Sequence, residues 1–220
     1  MANAVEKVNG IAIASIEAIN GITDANLQAL NGLEFTGTLP DAHTLLATAT
    51  ASSSSTLSFT SGIDSTYDAY EFRFDNMHPA TNSSSIAFQV DTGTNTNYNQ
   101  AITSTFFRPK NHESGGSTEI AYVAGEDQAQ GTAYQPLCNE VGSGNDESVS
   151  GVLTLYDPSS STFVKHFVSR MNEYHESDIT MDTFAAGYVN TTTALTRISF
   201  KFDNGNIEAG EIKMYGIAKA

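Results

Sequence analysis

Histidine and cysteine are the side chains of this sequence that most often hold a metal ion. The five histidines lack the i, i+4 or three-to-five-residue spacings that bring two imidazoles onto one metal. Cys138 is the only cysteine, which excludes an internal disulfide and a cysteine-based zinc site. We interpret it as a small buried residue, with a nucleophilic thiol as the alternative. The sequence predicts no metal and no cofactor. The histidines are His43, His78, His112, His166 and His175.

Paired carboxylates would indicate a glycoside hydrolase, and the densest acidic cluster is the segment NEYHESD with Glu173, Glu176 and Asp178. Its spacing marks no catalytic pair, and the Glu-x-Asp-x-x-Glu strand of laminarinase-like sandwiches is absent from the sequence. Neither a Gly-x-Ser-x-Gly elbow nor a glycine-rich phosphate loop occurs. We therefore expect a solvated loop here and no enzyme, with a polysaccharide-degrading activity through Glu173 or a neighbouring acid as the less favoured hypothesis.

Two loop features bear on ligand binding. Asp91, Asn95 and Asn97 occupy positions 1, 5 and 7 of a calcium-type loop, but the loop lacks a third-position ligand and a terminal glutamate, so a hairpin loop is favoured. Tryptophan is absent from the sequence, and tyrosines in loop-like segments are the remaining platforms on which a sugar could stack. These are Tyr98, Tyr134 and Tyr174.

Composition bounds the class of protein. The 220 residues suffice for one domain with a sizeable core and an appendage. The formal charge of −15 repels phosphate backbones and anionic lipid, so we expect neither a nucleic-acid nor a membrane partner. No segment approaches the roughly 20 apolar residues that span a bilayer. The sequence is typical of a protein that folds in a reducing cytoplasm.

The N-terminal part of the sequence contains a short repeat in which an Asn-Gly dipeptide recurs at equal spacing. This spacing matches about three helical turns and suits a right-handed coiled coil, but three interior glycines disfavour a continuous helix. Glycine just past a short helix is a favourable cap, so we predict short helical turns over residues 14–21 and 23–32, each ending at Asn-Gly. The repeat turns are Asn9, Gly10, Asn20, Gly21, Asn31 and Gly32.

A repeat unit of this size cannot bury its own aliphatic side chains. We therefore predict an N-terminal anchoring arm that needs a partner, which is either the same arm in other subunits or a groove on another protein. An extension packed loosely on its own domain is the alternative. The predicted anchoring residues are Val8, Ile11, Ile16, Ile19, Ile22, Leu27, Leu30 and Leu33.

The sequence predicts three parts: the arm at 1–39, an Ala/Thr/Ser-rich linker at 40–56 and a domain at 57–220. In the domain, turn signals alternate with short aromatic and β-branched segments, about ten strands in all. Alternation in AYEFRFD places Tyr70, Phe72 and Phe74 on one face. The fold class predicted is an all-β antiparallel jelly-roll sandwich preceded by an extended arm.

The NG-punctuated arm, the serine-rich linker and a sandwich closing on GEIKMYGIA together resemble small virion proteins of tailed bacteriophages, especially those infecting marine bacteria. The ending Gly-x-Ile-x-x-Tyr-Gly is similar to the last strand of many phage fibre and decoration jelly rolls. The resemblance implies a structural role, with the arm docking onto the particle and the jelly roll displayed outward. It brings no catalytic residues. The residues of this ending are Gly210, Ile212, Tyr215 and Gly216.

Our functional expectation is therefore a structural protein on the surface of a phage particle, either a head decoration or fibre or a short tail-fibre or knob component. It would be made in the bacterial host cytoplasm and would form a homo-oligomer, with trimers favoured, that binds other virion proteins through the arm. The alternative is a carbohydrate-binding adhesion module that recognises host surface glycans. The sequence leaves head or tail location open.

Overall fold

The computed structural model describes residues 43–218 and six dipeptides within the segment 1–42. All regular structure among these residues is β-strand, and the sheets are antiparallel. The described residues form no helix long and apolar enough to cross a membrane. The chain divides into two compact units, residues 1–44 and 45–220. The prediction of an all-β antiparallel protein is confirmed.

The six dipeptides form three two-stranded sheets with the same register. In each sheet, the aliphatic residue before an Asn-Gly dipeptide pairs with the aliphatic residue after it. The three pairs are Val8↔Ile11, Ile19↔Ile22 and Leu30↔Leu33. The strands are β1 (Lys7–Val8), β2 (Ile11–Ala12), β3 (Ala18–Ile19), β4 (Ile22–Thr23), β5 (Ala29–Leu30) and β6 (Leu33–Glu34).

This pairing corrects the prediction of short helical turns. Ala18–Ile19, Ile22–Thr23 and Ala29–Leu30 lie within or across the segments predicted as helical, and each is a strand. The reason is that Asn-Gly between two aliphatic residues is the strongest short-range signal for a hairpin, whereas the helical interpretation used glycine only as a cap. The other residues of those segments lie outside the described residues.

The predicted linker 40–56 is also corrected, because it contains a strand. β7 (His43–Thr50) forms one edge of the larger sheet of the second unit. Beyond β7 the backbone continues along the last strand of the chain, with the amides of Ala51 and Ser54 donating to the carbonyls of Gly210 (2.9 Å) and Ile207 (2.8 Å). Threonine at alternate positions suits a strand, so low complexity did not mean a flexible linker here.

The second unit is a β-sandwich of a nine-stranded and a four-stranded sheet. The larger sheet has the order β12-β11-β17-β16-β15-β9-β19-β7, with β13 also paired to β11, and the smaller has the order β14-β10-β18-β8. Thirteen strands replace the predicted ten or so. They are β7, β8 (Leu57–Phe59), β9 (Ala69–Pro79), β10 (Ile86–Thr92), β11 (Ile102–His112), β12 (Thr118–Tyr122), β13 (Ala129–Gly131), β14 (Gln135–Pro136), β15 (Val149–Tyr156), β16 (Lys165–His175), β17 (Ile179–Val189), β18 (Leu195–Phe202) and β19 (Ile207–Ile217).

An aromatic cluster forms the core between the two sheets. Phe200 of β18 packs against Phe72 and Phe74 of β9, with ring centroids 5.4 and 5.1 Å apart, and Phe59 of β8 joins them. Tyr70, Phe72 and Phe74 are at most 1% exposed, so the face predicted from AYEFRFD is confirmed. This core holds the two sheets together and so fixes the positions of the side chains on their outer faces.

The closing strand β19 requires its two motif glycines. Gly210 has a φ of +108°, at a point where the register with β9 shifts, and a Cβ there would lie 2.6 Å from the carbonyl oxygen of Asn76. A Cβ on Gly216 would lie 2.5 Å from the ring of Tyr67. The glycines of this ending are therefore required for local packing, whatever the function of the domain.

Candidate functional site: a polar cleft on the larger sheet

A cleft of about 470 Å³ lies on the outer face of the larger sheet. Its size falls within the range of roughly 300–1,000 Å³ that is usual for small-molecule sites. The four adjacent strands β11, β17, β16 and β15 carry its floor. Since neighbouring strands are about 4.8 Å apart, four strands give a surface long enough for an extended ligand. The floor side chains are Asn111, Thr180, Asn172 and Ser150.

The register brings these small polar side chains together. Asn172 pairs with Ser150 across β15 and β16, and Thr180 pairs with Asn111 across β17 and β11. The amide of Asn172 donates to Thr180 Oγ1 at 3.0 Å and to the carbonyl of Met181 at 3.0 Å. Asn111 lines the same cleft. The floor thus offers both donors and acceptors.

Tyr174 of β16 forms one wall of the cleft. Its hydroxyl oxygen lies 3.4 Å from Asp178 Oδ1. Hydrogen bonding to Glu113, followed by desolvation and the charges of Glu113, Asp178 and Asp146, raises the pKa of Tyr174 to about 12. The phenol therefore stays neutral across the physiological range and presents an aromatic ring beside the polar floor.

The charge of the cleft is negative. Glu113 and Asp146 belong to its lining, and its lining includes no lysine, arginine or histidine. Two basic residues on the strands of the floor are engaged with acidic partners: Arg170 makes a bidentate pair with Asp182, with N–O distances of 2.9 and 2.7 Å, and Lys110 lies 2.7 Å from Glu119. The cleft is therefore unsuited to an anionic ligand.

Glu173, the acid considered for hydrolysis, points to the other side of β16. It is 1% exposed, whereas its neighbour Asn172 is exposed on the cleft side. Its carboxyl accepts hydrogen bonds from the backbone N–H of Asn139 at 3.0 Å and from Thr183 Oγ1 at 3.1 Å. Burial raises the pKa of Glu173 to about 8. Glu173 borders the cleft as a residue of β16, but its carboxyl is buried and is part of the interior.

The calcium-type loop has a different use in the structure. Asp91 is 1% exposed, and its carboxylate accepts from the amides of Thr92 and Tyr98 and from the side chain of Gln100, at 2.9, 2.9 and 3.2 Å. It ties down the loop that follows β10. Within residues 43–218, no three histidine, cysteine, aspartate or glutamate side chains are placed to share a metal ion.

The remaining chemistry-bearing residues lie apart from the cleft. Cys138 is fully buried, and its Sγ accepts a hydrogen bond from the backbone N–H of Ile86 at 3.2 Å. Burial raises the pKa of its thiol. Nε2 of His175 lies 2.9 Å from Glu140 Oε2, and Nδ1 of His78 lies 2.6 Å from the carbonyl of Glu147. Of the three tyrosines considered for sugar stacking, Tyr174 alone lines the cleft.

The predicted anchoring residues fall into two groups. Six of them form the three strand pairs of the arm, so the structure brings together Val8 with Ile11, Ile19 with Ile22, and Leu30 with Leu33. Ile16, Leu27 and the repeat turns Asn9, Gly10, Asn20, Gly21, Asn31 and Gly32 lie outside the described residues.

Sequence reasoning missed most of the cleft. Asn111 lies far from Asn172 and Thr180 along the chain and becomes their neighbour only through the pairing of β11 with β17. The one available signal was polar residues at alternate positions of otherwise apolar strands, as in β16, where Asn172 and Tyr174 flank the buried Glu173. Such a pattern marks an exposed face and does not reveal a concave one.

No protein-family model, curated protein or solved structure matches this chain.

Proposed function

We propose that this chain is a structural protein displayed on the surface of a bacteriophage particle and anchored there through its N-terminal arm. The observation that carries the proposal is the arm, in which three hairpins of identical register recur at equal spacing ahead of a separate sandwich. The proposed locations are a head decoration or fibre, or a short tail-fibre or knob component. The proposed partners are other virion proteins and further copies of the chain, in a trimer.

The arm supports this proposal because its strands are too short to be self-sufficient. Each hairpin contributes two residues per strand, and an isolated two-stranded hairpin is at best marginally stable in water. Three units are the minimum for a stack that buries its own aliphatic residues. A partner surface that covers the repeated aliphatic pairs would supply the missing burial.

The strand order of the sandwich supports a jelly roll as its finer fold class. Without the strands inserted between β10 and β14 and between β15 and β18, the two sheets reduce to β7-β19-β9-β15 and β8-β18-β10-β14. Eight strands in this order correspond to two interleaved Greek keys, the arrangement found in viral capsid and lectin domains. Since one fold serves many functions, this order supports the proposal by analogy only.

The test is the mass in solution of the full-length protein, alone and mixed with candidate phage head and tail proteins. We expect an oligomer, and a larger complex with at least one particle protein. Ile19→Asp places a charge in the central aliphatic pair and should abolish assembly. Thr23→Asp adds the same charge to the same hairpin outside that pair and serves as the control. A wild-type protein that is monomeric and binds none of the particle proteins would contradict the proposal.

The second candidate function is adhesion, by binding of host surface glycans. It is favoured by one observation, the cleft in which Tyr174 stands beside a floor of amide and hydroxyl groups. It is compatible with the first function, since display on a particle brings such a site to a host surface. A glycan array, probed with and without calcium, tests it, and absence of binding on the whole array would remove it.

A further inference from the structure

We infer that the cleft is a binding site for uncharged, hydroxyl-rich saccharides, with the aromatic ring of Tyr174 as its stacking platform. This inference rests on the second candidate function, glycan binding, and specifies its site and its ligand class. Three properties of the cleft support it: the chemistry of its floor, the placement of the tyrosine ring, and its charge.

The floor matches the chemistry of sugar hydroxyls. A hydroxyl both donates and accepts, and a row of amides and hydroxyls can satisfy several of them at once. Asn172 and Asn111 both line the cleft, and Asn172 Nδ2 is held by Thr180 and by the carbonyl of Met181. Ser150 Oγ accepts from the backbone N–H of Asn76 at 2.9 Å, which leaves the hydroxyl proton of Ser150 available for donation. The floor is therefore preorganised without being saturated.

The wall supplies the apolar contact that polar groups cannot. A sugar ring has an apolar face of C–H groups, which packs against an aromatic ring, and tryptophan is absent from this chain. Tyr174 is half-buried, its backbone pairs with Thr180 and donates to the carbonyl of Ser148, and its hydroxyl oxygen lies 3.4 Å from Asp178 Oδ1. A ring held in this way loses little conformational freedom when a ligand stacks on it.

The charge selects the class of saccharide. Glu113 and Asp146 repel uronic acids, sialic acids and sulfated sugars, and the lining includes no cationic side chain that could compensate. The formal charge of −15 acts in the same direction over a longer range. Neutral saccharides avoid this penalty, and the carboxylates can still accept hydrogen bonds from their hydroxyls.

The experiment is native affinity electrophoresis of the full-length protein in gels containing mannan, mixed-linkage β-glucan or dextran, with alginate as the acidic polymer. We expect retardation by at least one neutral polymer and none by alginate. Tyr174→Ala should weaken the association constant about tenfold, and Asn172→Ala about threefold or more. Tyr156→Ala is the matched control. Tyr156 is an exposed tyrosine at the end of β15 away from Ser150, so this variant should leave retardation unchanged.

A charge reversal sharpens the test through a gain of binding. The double variant Glu113→Lys and Asp146→Lys should acquire retardation by alginate, which a merely unfolded variant would not do. Thermal unfolding of each variant establishes that the sandwich is intact.

The outcomes separate this inference from the function on which it depends. Binding that survives Tyr174→Ala, or that is lost equally in Tyr156→Ala, overturns the assignment of the site but leaves glycan binding in place. Retardation of the wild type by alginate alone overturns the ligand class. A wild type that no neutral polymer retards overturns the inference, and glycan binding itself falls only if the glycan array is negative as well.

Discussion

The arm and the sandwich are both built of antiparallel strands, yet they differ in the packing that could make each of them stable on its own. The described strands of the arm are dipeptides, whereas β9, β11, β16, β17 and β19 of the sandwich each have 11 residues. The sandwich also encloses an aromatic core between its two sheets. Stability in a sheet comes from side chains packed between layers and across strands. The comparison teaches that the sandwich has a core of its own, whereas the described strands of the arm are too short to be stable alone, which agrees with the proposed need of the arm for a partner.

The two regions also differ in how they use polar residues. The sandwich buries several polar side chains and gives them partners, as with Lys165, whose ammonium donates to the carbonyls of Ser160, Phe163 and Thr191 at 2.6, 3.1 and 3.0 Å. The arm has a repeated Asn-Gly dipeptide between paired aliphatic residues. The arm is therefore defined by the regular spacing of its dipeptides, whereas the sandwich is defined by tertiary contacts between distant residues.

The largest effect should come from the core. Phe72→Ala removes a fully buried ring that contacts Phe59 and Phe200, and we expect a loss of about 3–5 kcal/mol in the free energy of unfolding. Urea denaturation followed by circular dichroism measures it. A much smaller loss would mean that the sandwich core does not carry the stability of the domain, and the contrast with the arm would fail.

The next effect concerns the buried ammonium of Lys165. Lys165→Met keeps the length of the side chain but leaves three carbonyl oxygens without their donor, so we expect a loss of about 2–3 kcal/mol. Hydrogen exchange should localise the change to the loop 157–164, where two of these carbonyls lie. Lys201→Met, which removes a cation that stacks on Tyr134, is the control and should cost about 1 kcal/mol or less. Equal losses in the two variants would contradict the interpretation.

A pH-dependent effect is expected from Glu173. Its folded-state pKa of about 8 exceeds the ordinary value of 4.5, so the folded state binds the proton more tightly than the unfolded state. The corresponding stability is present below pH 4.5 and is lost as pH rises toward 8, by at most about 1.4 kcal/mol per pH unit. Glu173→Gln should flatten this part of the profile and exceed the wild type in stability above pH 8.

Denaturation of wild type and Glu173→Gln between pH 5 and 9 measures this difference. The conservative variant Glu176→Gln, which changes an exposed carboxylate in the following loop, should follow the wild-type profile. Parallel profiles for wild type and Glu173→Gln would show that the carboxyl is not held neutral in the interior.

The smallest effect on unfolding should come from the arm. Ile19→Asp is expected to change the melting temperature of the sandwich by less than about 1 °C, because a substitution outside its core leaves its burial unchanged. The same variant should lose assembly completely, as measured by light scattering. A clear fall in melting temperature would break the comparison, since it would show that the sandwich relies on the arm.

Sequence patterns predicted those parts of the fold that depend on local alternation. The buried face of β9, with Phe72 and Phe74, followed directly from period-two patterning. The arm was predicted as helical turns because glycine just past a short helix is a favourable cap, but an Asn-Gly dipeptide after an aliphatic residue suits a hairpin as well. β7 was missed because alanine and threonine alternate without a strongly apolar face.

The cleft was beyond sequence reasoning for a different reason. Asn111 and Thr180 lie far apart in the chain and are adjacent only because β11 pairs with β17, and no local pattern specifies such a pairing. Glu173 was noticed for its charge, but whether an acidic residue near the end of a strand faces solvent or the interior depends on what covers that side. Here the loop containing Asn139 covers it.

The strands β11, β16 and β17 lie outside the eight that make up the two shorter strand orders, and they carry three of the four floor residues of the cleft. Selection could therefore exchange Asn111, Asn172 or Thr180, or lengthen the hairpins that bear them, without disturbing the aromatic core around Phe200. Such a layout separates the surface residues that can be exchanged from the aromatic core on which the fold depends.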